Sequence, residues 1–171
     1  KPAFVGSTLS CNRLDGAVAF YGLDEIFDLA CAGKLDIGFL SFAQLDQEGH
    51  INMSWIGGSN SRPKVRMPGG AGTATLTRVS KRTIIWKTKQ DVRSLVKRVD
   101  CVTTTVNPEK EFRVLTDLCI FNFEDGKLQV EAIYPYTTLD EVKKNTGWEI
   151  TQTEVPVVEP PTPEELAALE Q

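Results

Sequence analysis

GKLDIGFLSFAQLDQEGHIN, residues 33–52, and RPKVRMPGGAGT, residues 62–73, are the two stretches that decide how this chain folds. The first contains the apolar run Ile37–Phe42, which is short, apolar on both faces and bounded by a glycine and a polar turn. Such a run predicts a central strand of a parallel or mixed sheet. The turn Asp46–Gly49 has hairpin chemistry, and the alternation of apolar and polar side chains over residues 51–55 then predicts a half-buried strand.

The second stretch predicts a glycine-rich loop that opens a helix. Residues 57–62 are rich in Gly, Ser and Asn and are expected to be a loop, as are Pro68–Gly72. A helix is expected over Thr73–Ser80. Consecutive glycines permit positive φ angles and let backbone amides approach a ligand closely. The loop is therefore the candidate for binding chemistry, and the alternative is a turn that only packs the helix on a strand.

The remaining elements follow from periodicity, capping residues and turn residues. They are a helix from about Asp24 to Ala32, a strand at Thr83–Trp86, a short basic helix from Asp91 to about Arg98, a strand at Cys101–Thr105, a hairpin of Val114–Phe123 with Lys127–Ile133, a helix from Thr138 to about Asn145, and a strand at Glu149–Thr153. Strands that alternate with helices predict an α/β fold with an open mixed or mostly parallel sheet flanked by helices. We expect one domain over residues 1–154, then a Pro-rich linker and a short acidic helix over 155–171.

Composition limits the classes of protein. With 171 residues, 41% of them hydrophobic and 25% charged, the chain suits one globular domain. Its four cysteines form no Cys-x-x-Cys pair and His50 is its only histidine, which predicts no metal cluster and no disulfide framework. No apolar run approaches the roughly 20 residues that span a bilayer, and no leader is visible, so a cytoplasmic protein without a membrane role is expected. The start at Lys1, without an initiator Met, indicates a fragment or a chain cut from a larger one.

Positive charge is concentrated in the middle of the chain, although the net charge is −4. Between Arg62 and Arg98 there are eleven Lys and Arg residues and one acid, Asp91. This block is either a solvated face or the receiver of an anion, such as the phosphates of a cofactor or an acidic partner chain. Nucleic acid is weakly supported, because no aromatic interleaving or known module accompanies the charge.

The segments together resemble the family I coenzyme A transferases, specifically the C-terminal part of their β-subunit, of the glutaconate and 3-oxoacid type. The resemblance covers residues 15 to 153 and depends on the order and spacing of its motifs. They are Gly33-Lys34-Leu35-Asp36, Ala43-Gln44-Leu45-Asp46 with Gly49 and Asn52 beyond it, Pro63-Lys64-Val65-Arg66, and Val142-Lys143-Lys144-Asn145-Thr146-Gly147. The resemblance implies an open α/β domain of the kind shared with sugar-phosphate isomerases. It also implies an α-subunit partner of related fold, in a heterodimer or heterotetramer.

The family's chemistry assigns a role to the glycine loop. In the family a glutamate carboxylate attacks an acyl-CoA thioester and becomes a glutamyl-CoA thioester, which passes CoA to a carboxylic acid. The resemblance implies that the amides of Gly69, Gly70, Ala71 and Gly72 hold the oxyanion. The family writes this loop Gly-x-Gly-Gly, so Ala71 departs from the pattern and would be strained at a positive φ. The family's glutamate lies upstream of Lys1, so the resemblance predicts an N-terminally truncated portion whose nucleophile cannot be named.

The resemblance also implies that polar side chains around the crevice bind substrate or CoA. They are Gln44, Asn52, Lys64 and Arg66. For Gln44 and Asn52, buried amides that brace a turn are an equal alternative. Glu48 as a nucleophile and His50 as a base are both disfavoured, because each lies in a hairpin turn. Coenzyme A is expected as a substrate, with its phosphates near the basic block and its thioester near the glycine loop.

Three alternatives to a transferase stay open at this point. If the upstream residue is not a glutamate, CoA-thioester hydrolases, ring-opening hydrolases or decarboxylases of the same fold become the better model. A non-catalytic subunit that completes a partner's crevice is the second alternative. The third is an anion-binding module for nucleic acid, which requires steeply salt-dependent association with DNA or RNA.

Overall fold

The computed structural model describes residues 16–169, so Cys11 and the last two residues lie outside the described part. The chain divides into two compact units, one up to Lys34 and one from Leu35 onward. The first unit contains the helix α1, Leu23–Cys31, which confirms the helix predicted there. Its first turn carries acids, and the Gly22 N–H donates to the Glu25 carboxylate at 2.6 Å, which satisfies one of the unpaired donors at the helix start.

The second unit contains ten strands and three helices among its described residues. In chain order they are β1 Ile37–Ser41, β2 Gln44–Leu45, β3 His50–Asn52, β4 Trp55–Gly58, β5 Pro63–Arg66, α2 Thr73–Val79, β6 Arg82–Trp86, β7 Thr104–Thr105, β8 Glu111–Leu115, β9 Cys119–Glu124, β10 Lys127–Ile133, α3 Leu139–Lys144 and α4 Pro163–Leu169. They form a five-stranded sheet of order β1-β6-β8-β9-β10, a three-stranded sheet β2-β3-β7 and the hairpin β4-β5.

The five-stranded sheet is mixed. β1, β6 and β8 run parallel, and β8, β9 and β10 form an antiparallel meander. This arrangement confirms the predicted α/β class. The prediction that Ile37–Phe42 is a central strand is wrong for the described residues, because β1 pairs only with β6 and ends the sheet. Phe39 on this strand is 66% exposed.

One face of the five-stranded sheet carries the core. Ile85, Val114 and Phe121 are completely buried on that face. The other core members are Phe42, Leu45, Ile51, Leu95, Val106, Phe112, Cys119, Leu128, Val130, Ile133, Val142, Trp148 and Ile150. Each such large apolar side chain stabilises the fold by about 1.5–3 kcal/mol relative to exposure. The β2–β3 hairpin packs into this core and so fixes where the next segments begin.

The turn Asp46–Gly49 of the β2–β3 hairpin follows the sequence prediction. The Asp46 carboxylate accepts a hydrogen bond from the His50 N–H at 3.0 Å and closes the turn. Gly49 has a φ of 79°, and a Cβ there would lie 2.8 Å from Phe123 and from Val106. Both the backbone conformation and the lack of space therefore require glycine at this position.

The strand predicted over residues 51–55 is instead broken into β3 and β4. The cause is Asn52, whose side-chain oxygen accepts from the Ser54 N–H at 2.9 Å and whose amide donates to the Trp55 carbonyl at 2.8 Å. Such local side-chain bonds compete with strand pairing. The loop predicted over residues 57–62 is wrong in extent, since Trp55–Gly58 and Pro63–Arg66 pair as an antiparallel hairpin.

The basic helix predicted from Asp91 to Arg98 is wrong, because the segment forms a turn. Tertiary pairing decides this, since the Leu45 N–H donates to the Ser94 carbonyl and the Val96 N–H donates to the Leu45 carbonyl. This pairing beside β2 holds Leu95 in an extended position, where its side chain is completely buried.

Two further predictions of strands are corrected. The single strand expected over Val114–Phe123 is two strands, β8 and β9, while the hairpin of β9 and β10 is confirmed. The expected strand Glu149–Thr153 is irregular, because Gln152 pairs through its side chain instead. Its amide accepts from the Val130 N–H and donates to the Val130 carbonyl, both at 2.9 Å.

The C-terminal segment combines a confirmed helix with an edge contact. α3 begins where predicted, with the Thr138 hydroxyl accepting from the Glu141 N–H at 3.2 Å. Beyond it, the Ile133 N–H donates to the Pro156 carbonyl and the Val158 N–H to the Ile133 carbonyl, so this stretch pairs with β10. The helix α4 follows. The division into a domain over residues 1–154 and a tail stays a prediction.

Candidate active site

The glycine loop lies between β5 and α2, as the sequence predicts. Gly69 has a φ of 97° and its N–H donates to the Met53 carbonyl at 3.0 Å. The chain then turns so that the Thr73 N–H donates to the Gly70 carbonyl at 2.6 Å, immediately before α2. One end of the loop is thus tied to the β3–β4 junction, and the other end is tied to the helix.

The backbone amides of this loop differ in their hydrogen bonding. Within residues 16–169, the N–H groups of Gly70, Ala71 and Gly72 have no hydrogen-bond acceptor in the protein, whereas the Gly69 N–H is used. Ala71 has a φ of 41°, a left-handed conformation that is strained for any residue with a Cβ. A strained residue beside unpaired donors is typical of a functional site.

The side chains of Gln44 and Asn52 form a hydrogen-bonded network at the β3–β4 junction, to which the loop is tied through the Met53 carbonyl. The Asn52 amide donates to the Gln44 oxygen at 2.7 Å, and the Gln44 amide donates to the Asp100 carboxylate at 2.9 Å. The Asn52 side-chain oxygen accepts from the Ser54 N–H, so Asn52 fixes the backbone conformation of Met53 and Ser54. Asn52 is completely buried and Gln44 is 6% exposed, so the structure brings them together as a bracing network. A direct substrate contact by either residue stays a prediction.

A pocket of about 520 Å³ opens beside the loop. Its lining residues come from the β4–β5 hairpin, the loop and the segment before β7: Ser54, Trp55, Asn60, Arg66, Met67, Pro68, Gly69 and Cys101. Arg66 is exposed, and its guanidinium donates to the Asn60 side chain at 3.3 Å and to the Asn60 carbonyl at 2.5 Å. The guanidinium is therefore held at the wall of this pocket.

A second cavity of about 750 Å³ shares Met67 with the first and extends to a basic rim. We call this cavity the basic groove; its walls are Ala43, Gln44, Ile56, Val65, Met67 and Val96, and its polar rim is Lys87, Lys89, Asp91, Arg93 and Ser94. The Lys87 ammonium donates to the Phe42 carbonyl at 3.0 Å and lies 5.3 Å from the Phe42 ring centroid. A groove with apolar walls and a cationic rim suits a long ligand that ends in phosphates.

Asp91 is the one carboxylate on this rim. Burial raises its pKa, but the hydrogen bonds from Arg93 and Ser94 outweigh that effect and lower the pKa to about 2. The carboxylate therefore remains charged at neutral pH and neutralises Arg93, from which it accepts at 2.9 Å. The cations left to a ligand in the basic groove are Lys87 and Lys89.

The cationic block of the sequence is dispersed in the structure. Lys81 pairs with Asp36 at 2.6 Å, and Arg82 pairs with Glu111 at 2.5 Å. Lys64 is exposed on β5 and lines neither the pocket nor the basic groove. The block is therefore in part a set of surface ion pairs and in part the rim of the basic groove.

His50 and Glu48 lie apart from the glycine loop. The His50 Nδ1 is 3.1 Å from each oxygen of the buried Asp46 carboxylate, and 3.6 Å from Glu48. These contacts close the β2–β3 turn, and the expectation that neither residue is catalytic stays a prediction. Over residues 16–169 no cluster of three or more His, Cys, Asp or Glu side chains is arranged to hold a metal ion. In the same range, none of the helices has the length and apolar character needed to cross a bilayer.

Sequence reasoning missed the part of the pocket that the hairpin forms with Trp55 and Asn60, and it missed Cys101 in the segment before β7. The alternation of Pro63 and Val65 with Lys64 and Arg66 was the available signal for β5. It was obscured by the run of small and polar residues between the two strands.

Comparison with known proteins gives a consistent result. The family model described as coenzyme A transferase matches residues 4–145. The chain is 35% identical to the B subunit of the 3-oxoadipate CoA-transferase of Pseudomonas knackmussii, over 80% of this chain and 58% of that protein. It is 26% identical to the B subunit of the glutaconate CoA-transferase of Acidaminococcus fermentans, over 90% and 62%. It is also similar to the crystal structure of the decarboxylase AibA/AibB, with a TM-score of 0.88 and 29% identity over 99% of this chain and 70% of that one.

The chain thus spans about 60% of the length of these two B subunits. The matched part includes every element that builds the pocket and the basic groove.

Proposed function

The chain belongs to the coenzyme A transferase family, and we propose that it is a β-type subunit of an enzyme that moves CoA between an acyl-CoA and a carboxylic acid. This chain contributes the loop that binds the oxyanion. The observation that supports the proposal is the set of N–H groups at Gly70, Ala71 and Gly72, which have no acceptor within residues 16–169 and directly follow Pro68 and Gly69 at the edge of a pocket of about 520 Å³.

These donors suit the chemistry of acyl transfer. When a carboxylate attacks a thioester, the carbonyl oxygen gains negative charge, and fixed N–H groups stabilise that charge without having to reorganise. Removing one donor of this kind typically costs about 3–4 kcal/mol of transition-state stabilisation. The loop is held in place at the Met53 carbonyl and at Thr73, so its amides are oriented before substrate binds.

Coenzyme A has a route to this loop through the basic groove. The pantetheine arm would lie between Ile56, Val65 and Val96, with the thioester at the pocket by Met67. The phosphates would lie at Lys87 and Lys89, since Arg93 is already neutralised. The acyl group or the acceptor acid would occupy the pocket beside Trp55, with its carboxylate toward Arg66.

The nucleophile and the partner complete the proposal. We propose that the nucleophile is a glutamate that precedes Lys1 and that a second subunit of α type contributes to the crevice; the family resemblance supports both. A partner is supported by the exposed apolar side chains of Phe39 and Trp86, which lie on the same face of the five-stranded sheet. If the nucleophile is another residue, this chain completes a crevice for a different reaction on the same thioester.

Decarboxylation of an acyl-CoA is the second candidate, favoured by the similarity to AibA/AibB over 99% of the chain. The same loop would stabilise the enolate oxygen that forms when carbon dioxide leaves. The two candidates differ in their products, because a transferase releases a new acyl-CoA and a decarboxylase releases carbon dioxide while CoA stays on the product.

The test uses the protein together with its partner subunit, assayed for both products. Gly70→Val should abolish turnover and leave the fold soluble, because it fills the loop without touching the core. A fully active Gly70→Val variant would refute the oxyanion assignment. Carbon dioxide release without CoA transfer would replace the transferase by the decarboxylase, and activity of this polypeptide alone would exclude a purely structural subunit.

Binding can be tested separately from turnover through the cysteines. Cys101 lines the pocket, Cys31 is exposed elsewhere, and burial raises the pKa of Cys119 to about 12. An acyl-CoA should slow alkylation of Cys101, as measured by peptide mass spectrometry, and leave Cys31 unchanged. Cys119 should react slowly with or without ligand, because its thiolate is scarce at pH 8. Equal protection of Cys31 and Cys101 would count against binding at this pocket.

A further inference from the structure

Thr103 lies immediately before β7 and contacts both the β3–β4 junction and the glycine loop. We infer that Thr103 is a positioning residue that sets the place of the loop amides, an inference that rests on the proposed function for its effect on turnover. Its own backbone is fixed, since its N–H donates to the Ile51 carbonyl at 2.9 Å. Two groups of its side chain make contacts that bear on the loop, the hydroxyl and the methyl.

The hydroxyl holds the β3–β4 junction. The Thr103 Oγ1 accepts from the Met53 N–H at 2.9 Å and lies 2.7 Å from the Ser54 hydroxyl. The carbonyls of the same two residues accept the next bonds toward the loop, from Gly69 N–H and Met67 N–H, both at 3.0 Å. A continuous chain of hydrogen bonds therefore runs from Thr103 through Met53 and Ser54 to both residues that flank Pro68.

The methyl sets the closest approach of the loop. A Cβ added at Gly70 would lie 2.6 Å from Thr103 Cγ2, a distance that side chains do not tolerate. Gly70 does not have a positive φ, so contact with Thr103 and not backbone conformation is what requires glycine there. Gly69 is the opposite case, with a φ of 97° and nothing within 4 Å of an added Cβ. The two neighbouring glycines are needed for different reasons.

This difference predicts a specific rescue. Gly70→Ala should push the loop away from Thr103, and Thr103→Ser should restore the loop by removing the methyl while keeping the hydroxyl. Gly69→Ala strains the backbone instead, and Thr103→Ser has no means to relieve that strain. A displacement of about 1 Å at reacting groups can cost about 100-fold in rate. Because the amides act on the transition state, the loss should appear in kcat and not in the KM for acyl-CoA.

The first experiment separates the hydroxyl from the methyl in the complex with the partner subunit. Thr103→Val keeps the shape and removes the acceptor, so we expect kcat to fall about 10- to 100-fold with the KM for acyl-CoA within twofold. Thr103→Ser keeps the acceptor and loses only the methyl, so its kcat should fall less than that of Thr103→Val. Amide hydrogen exchange at Met67 and Gly69 should accelerate at least tenfold in Thr103→Val and not in Thr103→Ser. Unchanged exchange in Thr103→Val would overturn the inference whatever the activity.

The second experiment is the rescue. Thr103→Ser should raise the kcat of Gly70→Ala at least tenfold and leave Gly69→Ala unimproved. Rescue of neither variant, or equal rescue of both, would overturn the inference. If the protein proves to lack transferase activity altogether, the proposed function fails, while the exchange rates of the Gly70→Ala loop with and without Thr103→Ser still decide whether Thr103 positions it.

Discussion

At the scale of single residues, the glycine loop contains a local strain that the sequence already suggests. Ala71 has a φ of 41°. This conformation is unfavourable for a residue with a Cβ but not for glycine. The family pattern has glycine at this place, and the alanine retains the amide that the proposed oxyanion site needs. The strain is therefore a property of this chain that can be removed without losing a donor.

Ala71→Gly should stabilise the protein by about 1 kcal/mol, because relief of the left-handed strain exceeds the entropy that glycine adds to the unfolded chain. The measurement is urea denaturation of the variant against the parent. Ala74→Gly is the matched control, since it makes the same change three residues later inside α2 and should destabilise by about 1 kcal/mol. Destabilisation by both substitutions would contradict the strain at Ala71.

The substitution Asp91→Asn tests how much the charge of Asp91 stabilises the turn that stands in place of the predicted basic helix. The native pKa of Asp91 is lowered to about 2, against about 3.9 in an unfolded chain, so its contribution is present above pH 4 and is lost as the pH falls toward 2. We expect a loss of about 1–2 kcal/mol at pH 7 and little loss at pH 2, measured by denaturation at both pH values. An equal loss of stability at both pH values would show that the shape of the Asp91 side chain, and not its charge, stabilises the turn.

At the scale of elements, the β4–β5 hairpin determines the site as much as the loop does. It places Arg66 in the wall of the pocket and Val65 in the wall of the basic groove. These two residues are adjacent in one strand, where successive side chains point to opposite faces. The segment after β6 supplies Lys87 and Lys89 to the rim of the basic groove. The loop, the hairpin and this segment meet around Met67, so one ligand can contact all three.

Lys89→Ala should raise the KM for acyl-CoA about three- to fivefold and weaken its salt dependence, because an exposed cation near phosphates contributes modestly and is screened by salt. Steady-state kinetics at low and moderate ionic strength measure both effects. Lys81→Ala is the control, since Lys81 pairs with Asp36 and does not line the basic groove. An identical effect of the two substitutions would refute the proposed route of CoA.

At the scale of the whole molecule, the two faces of the five-stranded sheet differ within residues 16–169, since one face carries the core and the other carries exposed aromatic side chains. Ile85 and Val114 are completely buried, whereas Phe39 is 66% and Trp86 is 46% exposed. α/β sheets are ordinarily covered on both faces. Phe39 and Trp86 are where we expect the proposed α-type subunit to bind.

Phe39→Ser should weaken association with the partner subunit at least tenfold, since an apolar aromatic contact at the centre of an interface commonly contributes more than about 1.4 kcal/mol. Co-purification and light scattering of the mixed subunits measure it. Tyr136→Ser removes an aromatic ring that is 74% exposed outside this sheet and should leave association unchanged. Unchanged association of Phe39→Ser would place the partner on another surface.

Patterns within one segment were sufficient for part of this protein. The sequence alone determined the family, the α/β class, the helices α1, α2 and α3, the turn at Asp46–Gly49, the β9–β10 hairpin and the glycine loop. The helices and the β9–β10 hairpin depend largely on contacts between residues close in the chain, such as the Thr138 hydroxyl on the Glu141 N–H, and such contacts leave local signatures.

The tertiary structure alone decided the rest, because the partners lie far apart in sequence. Leu95 is extended and not helical since Leu45, fifty residues earlier, pairs with its neighbours. Asn52 ends β3 at a place where the sequence pattern predicts that the strand continues. Gln152 pairs with Val130 through its side-chain amide, where a backbone strand was predicted. The place of the loop amides depends likewise on Thr103, which no pattern around Gly70 could reveal, because the contact that makes glycine necessary there comes from 33 positions away.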